Sequence, residues 1–229
     1  MLTIDHLSAS YKTMDKDVHT LDDLNLEIRD DEIFGIAGES GCGKTTLLKT
    51  LYDITEYPLQ IDSGKVLLTG EKNGKEFRYE TGNIKKTWWE NITYVPQAAQ
   101  SVLNPIVRIK RQFLDSIPKE QRKEETDEGI LNRVKRYLEE LQLSPDVLEA
   151  YPFQLSGGMR QRVIIALATF MSPSVVLADE PTTALDVVVQ KGILMLLMRL
   201  QRQFKNTIVL VSHDMGGSSR KAESAPPGI

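Results

Sequence analysis

Apolar residues along the chain fall into two kinds of run, and their spacing predicts most of the elements. Ile4 to Tyr11 and Leu24 to Ile28 read as strands, the second with alternating apolar positions. Ile33–Ala37 and Val175–Leu177 are short unbroken apolar runs, the mark of strands buried on both faces. Val66–Leu68, Ile92–Val95 and Thr207–Val211 complete the predicted strands. The polar, Gly- and Lys-rich stretch between Leu68 and Ile92 predicts exposed hairpins, with Trp88 and Trp89 packing there.

Helical spacing takes over elsewhere. Thr45 to Leu51 predicts a helix, and residues 101 to 168 have helical character. Within that region Thr126 is placed to cap a helix whose face carries Ile130, Val134, Leu138 and Leu141. Ser144–Pro145 opens another short helix, because proline suits a first helical position. Val187 to Phe204 reads as one long helix. Strands alternating with helices predict an α/β fold with a mostly parallel sheet.

Composition narrows the class. The chain has 229 residues, 41% of them hydrophobic, which suits a packed α/β domain with at most a small subdomain. A net charge of −4 gives no general attraction for nucleic acid. The single cysteine, Cys42, excludes an intrachain disulfide and a cysteine-rich zinc site. The first residues lack the basic-then-apolar pattern of a signal peptide, and the most apolar run, Gly192 to Met198, falls short of a membrane span. Any membrane contact is therefore expected through a partner. Gly216 to Ile229 has no apolar periodicity and is expected to be a disordered or truncated end. His6 and His19 match no motif and read as surface or packing residues.

Three segments carry chemistry. Gly38-Glu39-Ser40-Gly41-Cys42-Gly43-Lys44-Thr45 fits the phosphate-cradle pattern, and it stands between a buried strand and a helix. Glycines let backbone N–H groups converge on phosphate oxygens, and the helix N-terminus adds partial positive charge. Lys44 supplies a cation for the outer phosphates, Thr45 a hydroxyl for Mg²⁺, and Thr46 a further phosphate contact. Cys42 reads as a small loop residue and not a nucleophile. The second segment is Val175–Glu180, an apolar strand ending in two acids. At the C-terminal edge of a parallel strand Asp179 would hold Mg²⁺ through its water shell and Glu180 would polarise an attacking water. The same residues also suit a strand running into a charged turn. The third is Leu155-Ser156-Gly157-Gly158-Met159-Arg160-Gln161-Arg162, where a hydroxyl and two glycines at a helix start offer either a second anion site or an ordinary cap.

The run LSGGMRQR resembles the signature sequence of the ABC ATPase family, and the other family motifs follow in order. Tyr11 resembles the aromatic that stacks on adenine, Gln97 the glutamine loop, Ala184-Leu185-Asp186 the aspartate loop and Ser212-His213 the histidine switch. The resemblance covers about residues 1–215. It implies a nucleotide-binding cassette with a mostly parallel core sheet, an antiparallel β subdomain, and a helical subdomain at about 98–168 that carries the signature. It also implies ATP and Mg²⁺ as ligands, with Thr45, Gln97 and Asp179 at the metal. Glu180, His213, Lys44 and Gln97 become the catalytic group. Two subunits would meet head to tail, so that Ser156, Gly157 and Gly158 of one cover the nucleotide held by the other, with Asp186 linking the two sites.

Finer features resemble the oligopeptide, dipeptide and nickel importer branch. These are Ser101-Val102-Leu103-Asn104-Pro105, Tyr151-Pro152-Phe153-Gln154, and the run from Ala178 to Val187. That implies transmembrane permease subunits as partners, docked on Gln97–Ile109 and the helices up to Tyr151. It also implies a second ATPase subunit, identical or related, an indirect link to a solute-binding protein, and a place at the cytoplasmic face of the membrane. Beyond Asp214-Met215-Gly216 the resemblance stops. From this we expect a poorly covered sheet edge near Thr207–Val211, a loosely held His213 and slow turnover. The rival readings are a soluble ABC ATPase acting on nucleic acid or ribosomes and a non-catalytic nucleotide-binding module. One cassette, no long coiled coil and no zinc cysteines weigh against the first, and the presence of Glu180 weighs against the second.

Overall fold

The computed structural model describes residues 1–72, 74–97, 102–118, 122–123, 125–183 and 185–212. Two sheets form the body. The first is antiparallel, in the order β2 (Val18–Ile28), β1 (Leu2–Tyr11), β4 (Leu59–Lys72), β5 (Lys75–Glu80). The second is wholly parallel, in the order β3 (Ile33–Ala37), β8 (Thr207–Ser212), β7 (Val175–Asp179), β6 (Ile92–Val95).

The parallel sheet explains the unbroken apolar runs. Successive residues on a strand point to opposite faces. Val175, Leu177, Val209 and Val211 join a core with the antiparallel sheet and helix α1 (Lys44–Leu51). Val176, Ala178, Ile208 and Leu210 join the core on the other face, made with the remaining helices. Both faces are covered, so successive positions within these strands are mostly apolar. Those helices are α2 (Ile109–Ser116), α3 (Asp127–Glu140), α4 (Gly157–Thr169) and α5 (Val187–Phe204), with 3-10 turns at Pro145–Glu149 and Pro152–Gln154. Thr126 caps α3 by accepting from Gly129 N at 3.2 Å, and Ile130, Val134, Leu138 and Leu141 are all buried on its inner face. Ser144 and Pro145 start a 3-10 turn, as their residue types suggest.

Two expectations need correction. The strand predicted at Leu24–Ile28 runs from Val18, and the one at Val66–Leu68 runs from Leu59 to Lys72. Both have polar positions facing solvent, which hides them from an apolar-run criterion. Trp88 is half-buried against the core that includes Val66 and Leu68 of β4. It stacks on Tyr52 at 4.5 Å between ring centroids and donates from Nε1 to the Tyr52 carbonyl at 2.8 Å. Strand β8 is itself an inner strand, flanked by β3 and β7 with residues 207–211 buried, and the edge on that side of the sheet is β3.

The β1–β4 pairing turns on one glycine. Gly64 has φ +76°, and a Cβ there would sit 2.1 Å from the His6 carbonyl oxygen, at the register shift between Asp5 and Ser8. Gly64→Ala should combine left-handed strain of about 1–2 kcal/mol with overpacking of about 1–3 kcal/mol. We expect the denaturant midpoint to record a loss of roughly 2–5 kcal/mol, and a loss below about 1 kcal/mol would contradict this account of the pairing.

Candidate functional site

The β3–α1 loop, residues 38–43, leads into α1. Gly41 and Gly43 have φ of +83° and +93°, and a Cβ on Gly43 would press on Thr20 at 3.0 Å. A side-chain-free, left-handed backbone is therefore required at the helix start. The Lys44 side chain turns back along the loop. Its Nζ donates to the carbonyls of Gly38 (2.8 Å) and Glu39 (2.6 Å), and Cys42 Sγ lies at 3.8 Å. The ammonium is thus held over the cradle although Lys44 is 7% exposed. Thr46 shares a hydrogen bond of 3.2 Å with the Tyr11 hydroxyl, which fixes the end of β1 against the first turn of α1.

A cavity of about 330 Å³ opens here, and Tyr11, Ser40, Lys44, Thr45, Gln97 and Glu180 reach it. Gly41, Gly43 and Thr46 line it as well. So do Val18 and Thr20 of β2, which the sequence reading missed, because that strand was started six residues too late.

Strand β7 delivers the acids. Asp179, its last residue, is fully buried, and Glu180 is 6% exposed. The Thr45 hydroxyl donates to Asp179 Oδ1 at 3.2 Å, which joins the cradle to the strand. The Tyr94 hydroxyl donates to Asp179 Oδ2 at 2.8 Å. Glu180 has φ +46°, a left-handed conformation that an ordinary residue adopts at a cost of about 1–2 kcal/mol. Its backbone N–H still donates to Val211 O at 3.1 Å, so the turn leaves the sheet only after this residue. Glu180 Oε2 accepts from Gln97 Nε2 at 2.7 Å and from the Thr183 hydroxyl at 3.0 Å. Burial, followed by the Asp179 charge, pushes the Tyr94 phenol far above its usual value, so it stays a neutral donor.

Ser156 caps α4, accepting from Met159 N at 3.3 Å, and it is exposed. A Cβ on Gly158 would meet Val189 Cγ1 at 2.9 Å, so this glycine allows α4 and α5 to approach. Asp186 caps α5, accepting from Val189 N at 3.0 Å. The Ser156 geometry matches the ordinary cap reading of its motif. Ser156, Gly157, Gly158 and Asp186 do not line the cavity beside Lys44. His213, Ala184 and the tail lie outside the described residues, as do residues 98–101 after the glutamine loop.

The oxygen donors around Thr45 suit a hard cation. They are a hydroxyl, a carboxylate, and the amide oxygen of Gln97, whose nitrogen is already engaged with Glu180. Mg²⁺ takes few protein ligands and completes its shell with phosphate oxygens and water, so a single carboxylate suffices. Among the described residues there is no cluster of three His, Cys, Asp or Glu side chains.

Residues 21–183 match the family model described as ABC transporter. Over 97% of its length the chain is 35% identical to the dipeptide transport ATP-binding protein DppD of Caldanaerobacter subterraneus subsp. tengcongensis, and it covers 68% of that protein. It is 37% identical to the probable D,D-dipeptide transport ATP-binding protein DdpD of Escherichia coli K12, over 98% of this chain and 68% of that one. Against the oligopeptide transport ATP-binding protein OppD of the same organism it is 34% identical, over 94% of this chain and 63% of the relative. Among solved structures, the dimeric post-hydrolysis state of the ATP-binding cassette MJ0796 bound to ADP and Pi superposes with a TM-score of 0.71 at 27% identity. That match covers 93% of this chain and 88% of the other. The chain belongs to the ABC transporter family and has the fold of its ATP-hydrolysing cassettes.

Proposed function

We propose that this chain binds and hydrolyses ATP to power an importer of di- or oligopeptides. The observation that carries the proposal is the meeting of Lys44, Thr45, Gln97 and Glu180 in one cavity, with Asp179 bonded to Thr45. Each group has a physical task there. The glycine loop and the start of α1 take the phosphates on backbone N–H groups. Lys44 leaves the Gly38 and Glu39 carbonyls for the outer phosphate oxygens. Tyr11 presents a ring face to the base. Thr45, Asp179 and Gln97 would hold Mg²⁺, which neutralises phosphate charge. Glu180 accepts a proton from, or polarises, the attacking water, and Gln97 orients its carboxylate.

Ser156, Gly157 and Gly158 serve the nucleotide of an opposing subunit in this reading. The exposure of Ser156 and the absence of all three from the cavity of their own chain support it. Dimerisation in the cassette MJ0796 supports it too. Asp186 would couple the two sites, and His213 would contact the γ-phosphate. The segment from about 98 to 168 would act as a helical subdomain facing permease subunits. Exposed Val102, Ile106 and Phe153 favour that, with Phe153 stacked on Tyr151 and Arg108 lying over the Tyr151 ring. No helix among the described residues is long and apolar enough to cross a membrane, and attachment at the cytoplasmic face would run through the permease. The names of DppD, DdpD and OppD support peptides as the transported class. Nothing comparable favours nucleic acid.

The test has two parts. Purified chain should release phosphate from Mg·ATP. In cells whose dipeptide importer lacks its ATPase subunit, expression should restore dipeptide uptake. Phosphate release without uptake would remove the peptide assignment. Neither would remove the proposal.

A further inference from the structure

The structure assigns Tyr94 as the residue that positions the Asp179 carboxylate, a role that rests on the metal-site reading above and deepens it. Asp179 is fully buried, so each of its oxygens needs a donor. Thr45 serves Oδ1 and Tyr94 serves Oδ2. Rotating the carboxylate would break both bonds together. The phenol is itself held from behind. Its ring stacks on Tyr52 at 5.5 Å with 26° between planes, and Tyr52 stacks on Trp88 at 4.5 Å and 3°. Trp88 is fixed in turn by its bond to the Tyr52 carbonyl. Three aromatic rings thus run from Trp88 to the acid at the end of β7.

The choice of donor has a consequence. A lysine or arginine at this place would neutralise Asp179 and weaken it as a ligand for a cation. A phenol orients the carboxylate and leaves its charge intact. Tyr94 lies on β6, parallel to β7 and paired with Leu177, so the sheet register sets the reach between hydroxyl and carboxylate.

Tyr94→Phe keeps the ring and the stack and removes only the hydroxyl. We expect the Mg²⁺ concentration that half-saturates binding of a fluorescent ATP analogue to rise about tenfold, the usual scale for loss of an outer partner to a metal ligand. Binding of the same analogue in EDTA should stay at the parent level, which also reports that the cradle is folded. Adding Tyr94→Phe to Asp179→Asn should give little further loss, because the hydroxyl acts only through that carboxylate. Three results would overturn the assignment: a parental Mg²⁺ dependence in Tyr94→Phe, an equal loss in EDTA, or full additivity with Asp179→Asn. If Asp179→Asn itself left the Mg²⁺ dependence unchanged, the metal-site reading would fall, and the role of Tyr94 with it. If Asp179→Asn lost it and Tyr94→Phe did not, only the role of Tyr94 would fall.

Discussion

Glu180→Gln should lower phosphate release by a factor on the order of 10²–10⁴, the range for loss of a positioned acid–base group, while ATP binding persists. The substitution keeps size and shape in a site where Glu180 is 6% exposed. It changes the hydrogen-bond count instead. Gln97 and Thr183 both donate to Oε2, and an amide can still receive them on its one oxygen. What the amide cannot do is take a proton from water. Nucleotide affinity depends on Lys44, Thr45 and the loop N–H groups, none of which the change touches. If ATP joins two subunits, the variant should therefore accumulate as an ATP-bound dimer, visible by size-exclusion chromatography with light scattering. Phosphate release at the parent rate would contradict the role given to Glu180. A monomer at saturating ATP would contradict the shared site.

Much of this site was legible because phosphate chemistry leaves local marks in a sequence. Glycines at 38, 41 and 43 followed by Lys44 and Thr45 need only their own neighbours to be interpreted, and in the structure Gly41, Gly43, Lys44 and Thr45 line one cavity, with Thr45 bonded to Asp179. Continuous apolar runs located the parallel strands for the same reason, since both faces of each are covered. What escaped was relational. Thr183 donates to Glu180 from three residues along, a turn contact the spacing could have suggested. Val18 and Thr20 went unnoticed because half of β2 faces solvent and lacks an apolar signature. Tyr94 resembles any strand aromatic until β6 is laid beside β7. The available hint was a polar-tipped ring next to the end of one strand, with the acid ending another. The place of β8 between β3 and β7 was hidden for a similar reason. Its apolar run says that it is buried, but strand order follows from crossovers that no local pattern records.

Lys44→Ala should reduce ATP affinity by roughly 10²–10⁴-fold, since hydrogen bonds to a charged group contribute about 1.5–3 kcal/mol each and the ammonium can give two to phosphate oxygens. The same ammonium bonds to the Gly38 and Glu39 carbonyls, so truncation also removes a tie within the loop. The two effects separate in a thermal scan. Losing the tie lowers the melting temperature whether or not nucleotide is present. Losing the phosphate contact abolishes the rise that ATP produces, because stabilisation by a ligand grows with its concentration relative to Kd. The parent should melt progressively higher as ATP is added in EDTA, where the metal ligands play no part. Lys44→Ala should melt lower than the parent without ATP and gain almost nothing with it. An ATP-dependent rise equal to that of the parent would mean that nucleotide binds away from this lysine, and the cradle would then be a loop with the sequence of a phosphate site but not its function.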